Sequence, residues 1–161
     1  MKKIKLTQGQ YALIDDNMFG FLNQWKWCAN WNPRTKSFYA VRNLPLKNGK
    51  QTLILMHRTI MNSPARVLTD HINHNTLDNR RENLRFATYS QNGMNRRKQL
   101  SSISNYKGVR WHKETKKWQA RIKKEGKLIH LGLFLDIKKA AYAYNQAAEE
   151  MFGAFAYLNK I

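Results

Sequence analysis

The sequence predicts an α+β protein of two small modules: β-hairpins leading into a strand–loop–strand–helix segment, then a three-stranded antiparallel sheet packed on one helix. Three observations carry that expectation. Short apolar runs alternate with turn-forming residues through most of the chain, the period-2 pattern of strands. One long stretch, after Asp136, switches to helical spacing. Between the two regions, the stretch from Arg96 to Asn105 is polar, basic and serine-rich, which is linker composition.

The first module is expected over residues 1–98, with hairpins at 1–56. Turn signals at Asp15-Asp16-Asn17, Asn32-Pro33-Arg34 and Lys47-Asn48-Gly49-Lys50 separate the apolar runs. Phe38-Tyr39-Ala40-Val41 and Thr52-Leu53-Ile54-Leu55 should pair as strands. Trp25, Trp27 and Trp31 read as core or hairpin packing. His57-Arg58-Thr59-Ile60-Met61 reads as a short helix closed by Asn62-Ser63-Pro64. The segment at 57–98 then runs from Asp70-His71 through a polar loop, Ile72 to Asn83, into the apolar strand Leu84-Arg85-Phe86-Ala87. Thr88-Tyr89-Ser90-Gln91 has capping-box form, Thr with Gln three residues later, and opens a helix on which Asn92 and Asn95 share a face.

A linker at 99–104 leads to the second module, 105–161. Gly108 to His112, Lys117 to Lys123 and Lys127 to Gly132 alternate with turn-like segments and form a meander. Asp136 is placed to N-cap a helix that reaches about Phe152 and stops at Gly153. Along it Ile137, Ala140, Ala141, Tyr144, Ala147, Ala148 and Met151 make one apolar stripe, which should cover one face of the sheet.

Composition limits the partners. The 161 residues hold 29 Lys and Arg against 10 Asp and Glu, a net charge of +19 spread over both modules. Hydrophobic residues make up 42% and aromatics 12%, enough for a packed core rather than a disordered polycation. No apolar run approaches the roughly 20 residues of a membrane span, and the basic start, Met1 to Gln8, is followed by no signal-peptide core. The single Cys28 rules out an internal disulfide and a multi-cysteine zinc site. A cytoplasmic protein that binds double-stranded DNA is the expectation. An anionic membrane surface is the weaker alternative, and RNA would draw on the same charge and aromatics.

Strand, loop, strand and helix can bring Asp70, His71, Asn83 and Asn92 together. Asp and Asn are hard oxygen donors, suited to Mg²⁺ or Mn²⁺ rather than to structural zinc. Asp70-His71, Asp78-Asn79, Asn83-Leu84-Arg85, Thr88, Asn92 and Asn95 resemble the HNH nuclease motif, the ββα-metal fold, in its phage and intron-encoded homing form. The resemblance implies Asp70 and Asn92 as ligands of one divalent metal ion, His71 as general base, and Asn83 as the residue that orients the His71 ring. It leaves His57 a structural or phosphate-contacting role, since the motif already contains its base. Two departures fall in the loop: His74 stands where glycine is common, and Asn75-Thr76 replaces an Asp-Pro pair.

Tyr106-Lys107-Gly108-Val109-Arg110, Trp118-Gln119-Ala120-Arg121-Ile122, His130-Leu131-Gly132-Leu133-Phe134, the alanine-rich helix, Phe152-Gly153 and Leu158-Asn159 resemble an AP2 domain. That family lays its sheet in the DNA major groove with the helix behind. Lys107, Arg110, His112, Arg121, Lys123 and His130 match its DNA-contacting positions, and Arg96, Arg97 and Lys98 are expected to follow the backbone between modules. Parity supports this: Arg121 and Lys123 point to one face, Ala120 and Ile122 to the other. The combined expectation is a monomeric, site-recognising DNA endonuclease of homing or free-standing phage type. The alternative is a DNA-binding regulator with a vestigial nuclease fold.

Overall fold

The computed structural model describes residues 1–45, 51–97 and 103–161. The Lys47–Lys50 turn, Lys98 and residues 99–102 of the expected linker lie outside the described residues. The chain divides into two compact units, Met1–Thr88 and Tyr89–Ile161.

In the first unit, β1 (Lys2–Lys5) and β2 (Tyr11–Ile14) form an antiparallel hairpin in the register Ile4↔Ala12. Alternation sends Ile4, Leu6, Ala12 and Ile14 inward and Lys3 and Lys5 outward. A short α1 (Phe19–Leu22) follows, then a three-stranded sheet in the order β3 (Cys28–Asn32), β4 (Ser37–Pro45), β5 (Gln51–Leu55). The two expected strands pair in a register displaced toward the turn: of residues 38–41 only Val41 meets β5, opposite Leu55, while Arg42 to Leu44 face Ile54 to Thr52 and Phe38 to Ala40 pair with β3. Trp27 is buried in the core with Leu22, Ala29, Ala40 and Met56, and its indole N–H donates to the Leu22 carbonyl at 2.8 Å, so burial leaves no polar atom unpaired. Trp25 lies under the Arg42 guanidinium, 4.2 Å from the ring centroid, and Trp31 packs edge-on against Phe38, so all three tryptophans pack within the unit.

Helix α2 (Met56–Ile60) places Met56 and His57 inside. Strands β6 (Leu68–His71) and β7 (Leu84–Ala87) pair antiparallel, with Asp70 opposite Arg85 and His71 opposite Leu84. The intervening loop is tied to β2: the Leu13 N–H donates to the Leu77 carbonyl and the Asn79 N–H to the Leu13 carbonyl, each at 2.8 Å. The N-terminal hairpin is therefore the support on which that loop rests.

The second unit begins with α3 (Tyr89–Met94), directly after Thr88. Its sheet has the order β10 (Lys127–Phe134), β9 (Lys117–Lys124), β8 (Val109–His112). Asp136 caps α4 (Ile137–Phe152), its carboxylate accepting from the Lys138 N–H at 2.8 Å. The buried stripe Ala140, Ala141, Tyr144, Ala147 and Ala148 covers Val109, Ala120 and Ile122 of the sheet, as the spacing predicts. Small alanines let helix and sheet approach closely. At Gly108, φ is +77°, and a Cβ would run into the Tyr144 ring and the Arg121 carbonyl, so only glycine fits. Two asparagines close the C-terminal segment onto the sheet: Asn145 exchanges hydrogen bonds with the Asn159 backbone, and the Asn159 amide does the same with the Lys107 backbone.

Candidate functional site

Asp70 and His71 are the last residues of β6, both buried, at the mouth of the loop. The loop holds its shape through side chains. Asn83 accepts from the Asn73 N–H at 2.9 Å through Oδ1 and donates to the Asp78 carbonyl at 2.7 Å through Nδ2. Asp78 in turn accepts from Asn73 Nδ2 at 2.9 Å and from Arg80 Nε and Nη2 at 2.8 Å each. Those bonds hold the Asp78 carboxyl below its usual range, the Arg80 hydrogen bonds being the main cause. His74 sits at φ +63°, the left-handed region, which explains why glycine suits the position.

His71 is 5% exposed. Its Nε2 lies 3.2 Å from Asn79 Oδ1, and the Asn79 Nδ2 donates to the Leu77 carbonyl at 3.3 Å. The second bond orients the amide, so Oδ1 faces the ring, the proton belongs on Nε2 and the lone pair on Nδ1. Asn83, expected to orient the ring, has both ends of its amide bonded to the loop backbone, and the amide that lies against His71 Nε2 is that of Asn79, four residues earlier and fully buried. The Asp-Asn pair at 78–79 belongs to the motif, but only the folded loop shows which amide turns inward.

The His57 ring packs edge-on against His71, centroids 4.9 Å apart, with Tyr39 beside both. Burial is the first cause that lowers the basicity of each imidazole; for His57, with help from His71 and Arg58, the pKa falls to about 3. His57 is therefore neutral at neutral pH. The unfolded chain protonates this histidine near pH 6.5 and the folded chain only near 3, so its contribution to stability is full above 6.5 and is lost as pH falls between those values. At pH 4 the loss amounts to about 3 kcal/mol. Urea unfolding at pH 7 and pH 4 should show that loss in the parent and a smaller one in His57→Phe; equal losses would contradict the assignment.

Asp70 Oδ2 accepts from Arg85 Nε at 3.1 Å and Nη2 at 2.9 Å, the pair set by the cross-strand register. A cation therefore already sits on this carboxylate oxygen, beside the proposed base. Among the described residues no group of three or more His, Cys, Asp or Glu gathers as a metal cage. The buried Asp70 carboxylate is a hard oxygen donor, which suits a divalent ion that keeps most of its waters rather than structural zinc. Asn92 is half-buried on α3, and Asn95, buried, follows the helix directly; both belong to the second unit.

In the second unit, β8, β9 and β10 turn one face to α4 and the other away from it. Register places Arg110 beside Gln119, His112 beside Lys117, Arg121 beside His130 and Lys123 beside Leu128, all with parity opposite to buried Val109, Ala120 and Ile122. Five of the six expected DNA-contacting residues thus share a face. Gln119 Oε1 accepts from Arg110 Nε at 2.6 Å and aims the guanidinium. Lys117 and Gln119 belong to the same face, and the parity of Arg121 and Lys123 would have found them. Lys107 is set apart: its ammonium donates to the Met94 carbonyl at 2.5 Å and lies over the Tyr157 ring, and burial lowers its pKa to about 8. Arg96 and Arg97 are exposed just beyond α3.

Comparison with known proteins finds two family profiles along the chain. The HNH endonuclease family profile matches residues 63–94 and the AP2 domain profile residues 104–154. An uncharacterised HNH endonuclease of Acanthamoeba polyphaga mimivirus is 33% identical over 154 residues, 96% of this chain and 77% of that protein. Protein 3.8 of Escherichia phage T7 is 31% identical over 93 residues, 58% of this chain and 76% of that protein. An ethylene-responsive transcription factor of Arabidopsis thaliana is 32% identical over 103 residues, 63% of this chain and 23% of that protein. No solved structure gives a significant match.

Proposed function

The chain belongs to the HNH endonuclease family and carries an AP2 DNA-binding domain, and from that premise we propose that it hydrolyses phosphodiester bonds of double-stranded DNA at recognised sites. His71 is the general base, Asp70 and Asn92 hold one Mg²⁺ or Mn²⁺ ion, and the sheet face with Arg110, His112, Arg121, Lys123 and His130 selects the site. Asn92 enters on the motif alone. Arg96 and Arg97 follow the DNA backbone, and the protein acts as a monomer of homing or free-standing phage type.

The observation that carries the reading is the buried His71 ring, held by Asn79 at Nε2 beside the carboxylate of Asp70. Burial keeps the imidazole neutral, and the tautomer puts the lone pair on Nδ1, where it can take a proton from the attacking water. When bound, the cation would supply charge stabilisation for the phosphoryl oxygens and the leaving 3′-oxygen. Supercoiled plasmid incubated with Mg²⁺ or Mn²⁺ should be nicked, and EDTA should stop it. DNA bound but uncut under every metal would favour the alternative of a DNA-binding regulator, for which the Arg85 guanidinium on Asp70 is the supporting observation.

Asn79 is a positioning residue. Asn79→Leu removes the acceptor and should slow single-turnover cleavage by about ten-fold, the worth of one buried hydrogen bond, while duplex binding stays unchanged. Asn79→Asp keeps the acceptor and should recover the Nε2–H tautomer in ¹⁵N spectra of the ring. If Asn79→Leu shows the parental rate and tautomer, the ring is oriented by other means.

A further inference from the structure

The face turned away from α4 is not uniformly polar. Strands β8, β9 and β10 contain no Asp or Glu, and their outward positions hold Arg110, Lys117, Arg121 and Lys123. Among these cations stand two leucines of β10, Leu128 at 58% exposure beside Lys123 and Leu133 at 37% beside Gln119. Neither belongs to the core clusters that Ile129, Leu131 and Phe134 join. Leu133 faces outward because of an irregularity. Strict alternation would turn it inward with Ile129 and Leu131, but the register slips between His130 and Gly132, and the bulge sends Phe134 to the core and Leu133 to the outer face. Gly132, at φ +140°, makes the bulge possible, since a Cβ there would press on the Phe134 ring at 3.0 Å.

Two branched aliphatic side chains set within a cationic face suit a partner that is both anionic and locally apolar. Double-stranded DNA is such a partner. Its phosphates meet the cations, and the one apolar group on a base edge in the major groove is the C5-methyl of thymine. We propose that Leu128 and Leu133 read thymines, each side chain covering a C5-methyl while the neighbouring cations hold bases and phosphates. At about 3.3 Å per strand residue the two leucines stand some 13 Å apart, close to four base steps of 3.4 Å, so two separate thymine positions are read on either side of His130. This rests on the DNA-recognising role of the sheet proposed above.

The test uses the full chain in EDTA, so that nothing is cut. A preferred duplex is selected from a random library, and each thymine is replaced in turn by uracil, which removes only the methyl. Binding should weaken by roughly four-fold at one or two positions, the worth of one buried methyl group. Leu133→Ser should abolish that penalty at one position and Leu128→Ser at the other. Replacing a read thymine by 5-methylcytosine should not restore full affinity, because the exocyclic donor and acceptor pattern changes. Uracil tolerated at every position, or a penalty that persists in both serine variants, would overturn the thymine assignment while leaving DNA recognition intact. Absence of binding to any duplex would overturn both.

Discussion

Replacing His71 by alanine lowers the rate of DNA cleavage by about 10²–10⁴-fold, the usual worth of a positioned general base, and leaves duplex binding unchanged. No neighbouring group can take over. His57, the nearest imidazole, has its basicity pushed to about 3 by burial, so it is a poor proton acceptor at neutral pH. The Asp70 carboxylate is tied to Arg85. Removing the ring also opens space beside His57 and Tyr39, so urea unfolding of the variant serves as the check that its first unit is folded. The acid limb of the cleavage rate in the parent should lie below the ordinary histidine value, because burial, the leading influence on His71, lowers its basicity. Cleavage by His71→Ala at the parental rate would remove the general-base assignment.

Much of this site was legible in the sequence, and the misses have physical causes. Asp70-His71 and Leu84 to Ala87 stand as paired strands where alternation placed them, and Asp136 caps the long helix. Local patterns of that kind are written in neighbouring residues. Which asparagine holds His71 depends instead on how a twelve-residue loop folds over β2, and spacing could not separate Asn79 from Asn83. Asp70 and Arg85 are fifteen positions apart, and only the cross-strand register makes them partners. Lys107 shares the basic composition of the sheet face, yet its ammonium is drawn to the Met94 carbonyl and the Tyr157 ring. Leu133 was hidden by the bulge, since counting in twos along β10 assigns it to the wrong face. Each miss is a case where a tertiary contact, not a local preference, decided the direction of a side chain.

Affinity for duplex DNA should fall by roughly 10³–10⁵-fold between about 50 and 200 mM salt, the behaviour of a protein that covers six to ten phosphates. The described residues supply most of such a set in named positions. Arg110, Lys117, Arg121 and Lys123 occupy one sheet face, and Arg96 and Arg97 are exposed beyond α3. Each cation placed on a phosphate releases condensed counterions, so the logarithm of affinity falls linearly with the logarithm of salt, with a slope near −0.9 per contact. Lys123→Ala should reduce the magnitude of that slope by about 1 and weaken all sequences alike. Arg110 is different, because Gln119 holds its Nε and an arginine so anchored suits a bidentate guanine contact; Arg110→Ala should cost about 1–3 kcal/mol on the preferred site and much less on others. Leu133→Ser carries no charge change and should leave the slope untouched. A salt-insensitive complex would mean that the +19 of this chain serves something other than a phosphate backbone. An unchanged slope in Lys123→Ala would instead remove that residue from the interface and leave the rest of the face in place.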